Sequence, residues 1–462
     1  MQKNVICYVV DRVYLPSLGG GRRARVEGVI FVIRNALNQL NEWKDSGRRK
    51  PLLLQGARQV GKTWLMREFA KKAYDDFLYV SFDQDADAVN IFAETKDPKL
   101  ILERLGLIRN KALRPEKTLL ILDEIQECPN ALGSLKYFNE DANEYHVIAA
   151  GSLLGTYLAK PMSYPVGKVN LLDIYPLTFD EYLLAADAGM GQYYAQIKSA
   201  GDYVAAFHSR MTEHYKKYLI IGGMPECVAA WAADKDPAKI SPIQNEIIRI
   251  YENDFFKHNG KVNSARILMV FRSIVTQLAK KNEKFIYNCI KEGARAREFE
   301  EALEWLVSAG MVIKTPNVSK PEHPLNVFAQ QNHFKLFMFD VGLLKHMAGV
   351  HNEKILLKSD YQFKGTLAEN FCLQQIRDIF DVTPKYFSPS AASEIDFVVQ
   401  DGGDIIPLEV KSGENVTSNS FNRYLDKYKP KKAVRYSMRG YERNERFTNI
   451  PLYLARKTKE LL

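Results

Sequence analysis

The chain has 462 residues, too many for one ordinary domain, and its 46% hydrophobic and 26% charged composition is that of a soluble globular protein. A formal charge of +9 favours acidic partners, nucleic acid first. Five scattered cysteines (Cys7, Cys128, Cys227, Cys289, Cys372) without a CxxC pair argue against a zinc site or a disulfide framework and for a reducing cytoplasm, and no apolar run approaches the ~20 residues of a membrane span.

Residues 1–28 carry Gly19-Gly20-Gly21 followed by Arg22, Arg23 and Arg25, with no usable periodicity, and are expected to form a disordered leader. The apolar run Val5–Val10 is ended by Asp11 and is too short for a signal segment. A helix with Leu37, Leu40 and Trp43 on one face follows and ends at Gly47. From Pro51 apolar strands alternate with amphipathic helices: Leu52–Gln55, Phe77–Phe82, Leu119–Leu122, His146–Ala150 and Val169–Ile174 read as a parallel sheet buried on both faces. Residues 29–185 are therefore expected to be an α/β P-loop layer, and 186–259 a helical subdomain interrupted at Gly222-Gly223.

In the next segment, 260–357, helices Arg266–Ala279 and Ala296–Ser308 precede strands Met311–Thr315 and Phe334–Phe339, the order of a winged helix. Such a module would turn Arg295 and Arg297 toward DNA, with Lys314 and Lys320 at the wing. The last domain, 358–462, has a helix Leu367–Ile379, strands Ile395–Val399 and Ile405–Val410, and a helix Ser420–Tyr428.

Gly56-Ala57-Arg58-Gln59-Val60-Gly61-Lys62-Thr63 matches GxxxxGK[ST] between a strand and the helix Thr63–Ala73, with Trp64 next in the binding segment. The glycines let backbone N–H groups close on phosphates, Lys62 reaches the β- and γ-phosphates, and the Thr63 hydroxyl is a ligand for Mg²⁺. The strand Leu119–Leu122 runs into Asp123 and Glu124, a Walker B pair in which the first acid holds Mg²⁺ and the second activates water. Ser152, after the strand His146–Ala150, stands where a polar group can sense the γ-phosphate or the attacking water, or can simply start a loop.

A second set of carboxylates lies near the C-terminus. Asp396 begins one strand, and Glu409 and Lys411 end the next after the Gly402-Gly403 turn. Glu409 and Lys411 are two residues apart and so share a strand face. This is the D…ExK pattern of PD-(D/E)xK nucleases. Asp396 and Glu409 would hold a divalent metal, Glu369 would add a ligand, and Lys411 would position water.

Together these residues resemble a prokaryotic family of AAA+-type ATPases ending in a domain of unknown function related to PD-(D/E)xK nucleases. The likeness extends from about Val29 through Tyr175-Pro176-Leu177-Thr178, Gly222-Gly223-Met224-Pro225-Glu226, Phe339-Asp340-Val341-Gly342-Leu343 and Gly365–Asn370 to Glu409–Gly413. The resemblance implies ATP as nucleotide, a winged helix and a restriction-endonuclease-like α/β domain at the C-terminus, and a cytoplasmic protein acting on DNA. An arginine finger is not assigned; Arg249, Arg266 and Arg272 are candidates, and homo-oligomerisation is left open. Two alternatives stand beside the ATP-driven nuclease: an ATP-gated DNA-binding regulator with an inactive nuclease fold, and a signalling NTPase with protein partners.

Overall fold

A computed structural model describes residues 7–9, 29–31, 34–152, 154, 167–258, 260–280, 284–357, 361–390, 393–414 and 418–462. Within the leader expected to be unstructured, β1 (Cys7–Val9) pairs antiparallel with β2 (Val29–Phe31). The apolar run before Asp11 supplies strand-forming residues; the Gly–Arg run lies outside the described residues. The chain divides into two compact units, Arg34–Pro176 with Ser308–Met311, and Leu177–Val307 with Val312–Leu462 and the first strand pair. No described helix is long and apolar enough to cross a membrane.

The first unit opens with α1 (Ala36–Asp45), which buries Leu37, Leu40 and Trp43 as their spacing predicts. It continues through β3 (Leu52–Gln55), α2 (Lys62–Ala73), β4 (Asp76–Ser81), α3 (Ala86–Glu94) and α4 (Pro98–Arg109). Then come β5 (Thr118–Asp123), α5 (Pro129–Asp141), β6 (His146–Ala150) and β7 (Asn170–Asp173). All five strands from β3 to β7 join one parallel sheet in the order β4-β5-β6-β3-β7. Every residue of β5 and β6 is buried. Leu120, Leu122 and Val147 pack with Phe92, Ile101 and Phe138 of α3, α4 and α5. Leu119, Ile121 and Ile148, of opposite parity, are buried on the other face. Because the strands are parallel, the exits of β3, β5 and β6 open at one carboxyl edge, with β6 between the other two.

The second unit begins with seven described helices: α6 (Phe179–Ala186), α7 (Ala188–Gln196), α8 (His208–Ile221), α9 (Pro225–Asp234), α10 (Ile240–His258), α11 (Gly260–Ala279) and α12 (Ala296–Ser308). It continues with β8 (Val312–Val318), β9 (Ala329–Met338), α13 (Val341–Met347), α14 (Asn352–Leu356) and α15 (Lys364–Ile376). The last elements are β10 (Lys385–Ser390), β11 (Ser393–Asp401), β12 (Asp404–Val410), α16 (Asn419–Tyr428), β13 (Val434–Ser437), β14 (Glu442–Arg443), β15 (Thr448–Pro451) and α17 (Thr458–Leu461).

These strands form a single eight-stranded sheet in the order β14-β15-β13-β12-β11-β10-β8-β9. The two strands expected to be the flap of a separate winged helix are thus the outer strands of the C-terminal sheet. Tyr386 of β10 pairs parallel with Asn317 of β8, so the expected border at 357/358 runs through continuous hydrogen bonding. Lys314, expected at an exposed wing, instead pairs with Glu304 of α12 at 2.6 Å and lies over the Phe334 ring. Arg295, Arg297 and Lys320 are exposed.

Two sequence motifs meet inside this unit. Gly222 adopts φ +74°, and a Cβ there would lie 2.2 Å from Asp340 Oδ1. That close approach requires glycine. Asp340 is fully buried and accepts hydrogen bonds from the backbone N–H of Gly223 (2.7 Å) and Leu343 (3.0 Å) and from Gln374 Nε2 (3.3 Å). Asn370, one turn earlier on α15, brackets Met338 with a bond to its N–H and one to its carbonyl. The helix that bears Glu369 is thereby fixed to the end of β9. Edge-on contacts of Phe371 with Phe179 and Tyr218 hold its other side.

Candidate functional site

The carboxyl edge of the first unit gathers the nucleotide residues named from sequence. The loop after β3 turns through Gly56 (φ +140°), Gln59 (φ +61°) and Gly61 (φ +92°), conformations that suit glycine and strain glutamine. A Cβ on Gly56 would meet the Ile174 carbonyl oxygen at 2.1 Å. Gly61 leads directly into α2, so the loop delivers Lys62 and Thr63 at a helix N-terminus. Lys62 Nζ donates to the Gly56 and Ala57 carbonyls at 2.9 and 2.8 Å. Burial lowers its pKa to about 8, against the opposing pull of Glu124 and Asp123. Thr63 Oγ1 donates to Asp123 Oδ2 at 2.6 Å, and Tyr79 OH donates to the same oxygen at 2.9 Å. Burial raises the Asp123 pKa, and those two donors work against the rise.

Glu124 has φ +49°, an unusual backbone for a glutamate, and is half-buried. Its carboxylate is held by Gln126 Nε2 at 2.6 Å and by Ser152 Oγ at 3.1 Å. Ser152 therefore touches the acid itself. Gly151 permits this packing, since a Cβ there would lie 2.3 Å from Gln126 Oε1.

The second unit brings the C-terminal residues to one cavity of 290 Å³. Glu369 of α15, Glu394 and Asp396 of β11, Lys335 of β9 and Lys411 line it. Glu409 does not line the cavity; it is buried behind it with Oε1 accepting from Lys411 at 2.6 Å. The hydroxyl of Ser418 lies nearby, while Glu409 Oε2 is buried without a hydrogen bond of normal length among the described residues. Burial first, then repulsion from Asp396, raises the Glu409 pKa to about 7. Asp396 Oδ2 accepts from Val410 N–H at 2.7 Å, which ties β11 to β12 at the pocket.

Hard oxygen donors at Asp396 and Glu409 suit a divalent metal that keeps most of its water. The set is smaller than expected, however: among the described residues no three His, Cys, Asp or Glu side chains form a metal cluster. Glu369 reaches the cavity wall without completing one.

With this geometry in hand, the family described as an AAA domain matches residues 48–183. That match spans the parallel sheet and the 56–63 loop, which together have a P-loop NTPase fold. Two families described as domains of unknown function match residues 212–354 and 364–455. No curated protein matches. Among solved structures, the Walker-type ATPase PABY2304 of Pyrococcus abyssi is 13% identical, covers 67% of this chain and 94% of its own, and has a TM-score of 0.43. The Aeropyrum pernix ORC1 protein in complex with DNA is 12% identical over 68% of this chain and 90% of its own, with a TM-score of 0.26. AMPPCP-bound DnaA from Aquifex aeolicus is 13% identical over 60% and 88%, with a TM-score of 0.25.

Several residues that sequence reasoning missed support the AAA domain's loop. Arg34 is buried, donating from Nη1 to the Val60 carbonyl at 2.9 Å and from Nη2 to the Tyr175 carbonyl at 2.7 Å. It clamps the P-loop to the segment after β7. No motif marks it, because it stands alone before α1. Tyr79 and Gln126 were also passed over; alternation along β4 could have found Tyr79 at the sheet edge. Arg58 within the loop and Trp64 just after it are half-buried. Of the arginine candidates, Arg272 is held by Glu252 through bonds of 2.8 and 3.0 Å, while Arg249 is exposed.

Proposed function

We propose that the AAA domain binds ATP with Mg²⁺ and hydrolyses it. The observation that carries this reading is the 2.6 Å contact between Thr63 and Asp123 at the mouth of the loop that presents Lys62. Their two oxygens would hold Mg²⁺, which when bound screens the phosphate charge. Lys62 offers its ammonium to the β- and γ-phosphates in place of the loop carbonyls. Glu124 receives the proton of the attacking water, and Gln126 and Ser152 keep its carboxylate aimed. Phosphate release from ATP and Mg²⁺ tests the reading: wild-type turnover is expected, and its absence from purified full-length protein at any pH from 6 to 9 would overturn it.

For the second unit the favoured reading is a nuclease-like site acting on DNA in the cytoplasm of a prokaryotic cell, gated by the ATPase. Asp396 and Lys411, which line one pocket, and Glu409, buried behind it against Lys411, support it, with repulsion between the two acids that a divalent cation would relieve. A cleavage assay with Mg²⁺ or Mn²⁺, ATP and plasmid or single-stranded DNA tests it. The second reading, an ATP-gated DNA-binding regulator whose nuclease fold is inactive, draws on one observation. Three carboxylates do not close into a metal cluster among the described residues. DNA binding without cleavage under every metal condition would select it.

A further inference from the structure

The C-terminal cavity contains a lysine that the D…ExK pattern does not use. Lys335 lies on β9, the edge strand, yet its Nζ pairs with Glu394 Oε1 at 2.5 Å on β11, three strands further in, with β8 and β10 between them. The sheet must curl for this to happen. Contacts of Lys335 with the Tyr386 ring (5.0 Å) and of Phe337 with Phe397 (5.8 Å) show β9 folded over the β10–β11 face.

Lys335 is 11% exposed, and what exposure it has is toward the cavity. Burial works against its charge. Glu394, Glu369 and Asp396 together more than offset that cost and keep its pKa raised. Its ammonium thus lines the same small chamber as Lys411. An ammonium has three donors. Among the described residues Lys335 spends one hydrogen bond, on Glu394.

Beyond its pair with Glu394, Lys335 lines an open cavity and has three acids around it. Without Lys335, Glu369, Glu394 and Asp396 would repel any phosphate that entered. With it, the chamber holds a second ammonium beside Lys411 that can receive an anionic oxygen.

We infer that Lys335 is the phosphate-holding residue of this cavity, engaging a nonbridging oxygen of a nucleic-acid phosphodiester while Glu394 fixes the direction of its side chain. The inference rests on the nucleic-acid reading of the second unit and names a contact that reading does not require.

The test uses the full-length protein and a fluorescein-labelled single-stranded DNA oligonucleotide in Ca²⁺. Anisotropy gives the affinity as a function of salt, and cleavage in Mn²⁺ is measured separately. Lys335→Met is expected to bind on the order of tenfold more weakly, with a salt slope shallower by about 0.7 for the one lost phosphate contact. Lys335→Arg should restore both. Glu394→Gln, which keeps the cation but frees it, should bind at least as tightly as wild type. If Lys335→Met melts at a lower temperature but keeps wild-type affinity and slope, the residue is only a structural partner of Glu394 and the inference is overturned. Should Lys335→Met not fold, Lys335→Gln and the Glu394→Gln arm decide it by the same criteria. Failure of wild-type protein to cleave, with Lys335-dependent binding intact, removes the nuclease reading and leaves this contact standing. Absence of any oligonucleotide binding overturns both.

Discussion

The hydroxyl of Thr63 and the carboxylate of Asp123, sixty residues apart in sequence, stand 2.6 Å from each other. The contact exists because α2 starts at the carboxyl end of β3 and Asp123 ends β5 on the same edge of the sheet. Lys62 and Glu124 are carried by the same two turns. Lys62→Ala is expected to abolish ATP turnover. Glu124→Gln should retain nucleotide binding and lose hydrolysis, because it removes the base and keeps the ground-state phosphate contacts. Filter binding and phosphate release on both variants check this, and normal turnover in either would remove its residue from the proposed role.

Lys62 also predicts a proton signature. Its folded-state pKa of about 8 lies below the ordinary 10.5, so between those values the unfolded chain holds more protons and stability rises with pH. Phosphates should draw the proton back. Nucleotide binding near pH 8.5 is expected to take up protons, seen as a buffer-dependent heat in calorimetry; Lys62→Met should lose that dependence.

The hold on Glu124 can be loosened from behind. Ser152→Ala removes one hydrogen bond to a charged group, worth ~1.5 kcal/mol, and so should slow turnover about tenfold with little change in KM. Gly151→Ala, whose Cβ would push into Gln126 Oε1, should cost more. A rise in KM at constant kcat would instead assign Ser152 to nucleotide contact.

In the second unit, Asp396→Ala is expected to eliminate metal-dependent cleavage while ATP hydrolysis persists. Glu409 supplies a pH test of the same pocket. Its pKa is raised from 4.5 to about 7, so the folded state holds the extra proton in that window and stability falls as pH climbs through it. Thermal melts between pH 5 and 8 should show this slope in wild type and a flatter one in Glu409→Gln.

Asp340 offers a structural control. It is buried and receives two backbone N–H groups and Gln374, so Asp340→Ala leaves those donors without a partner. A loss of about 3 kcal/mol or more is expected in chemical denaturation.

How much of this was legible follows from where each signal resides. The five strands of the AAA domain are continuous apolar runs, and all five appear within a residue or two of their expected bounds, as Leu52–Gln55 and His146–Ala150 do without any shift. Lys62, Thr63, Asp123 and Glu124 were readable because their chemistry demands fixed spacing. Arg34 was not, since a single arginine that satisfies two distant carbonyls leaves no local pattern. The strand pair Val312–Val318 and Ala329–Met338 was found as strands but given the wrong neighbours. Periodicity reports which face of a strand is buried and is silent about which strand lies beside it. Lys335 was invisible for the same reason: its partner Glu394 is brought near only by the curl of the sheet.

The pairing of Asn317 with Tyr386 also orders events during synthesis. β8 and β9 leave the ribosome as a hairpin whose inner edge has no mate until β10 is made. A hairpin with one open edge is marginal in water and a template for unwanted pairing. The polar Gln330–Gln331–Asn332–His333 stretch of β9 discourages partners on the outer side. On the inner side the nascent chain must wait for its own C-terminal third. Release of a fragment ending near residue 357 would leave that edge permanently open, so truncation there is expected to yield an aggregating product rather than a smaller ATPase.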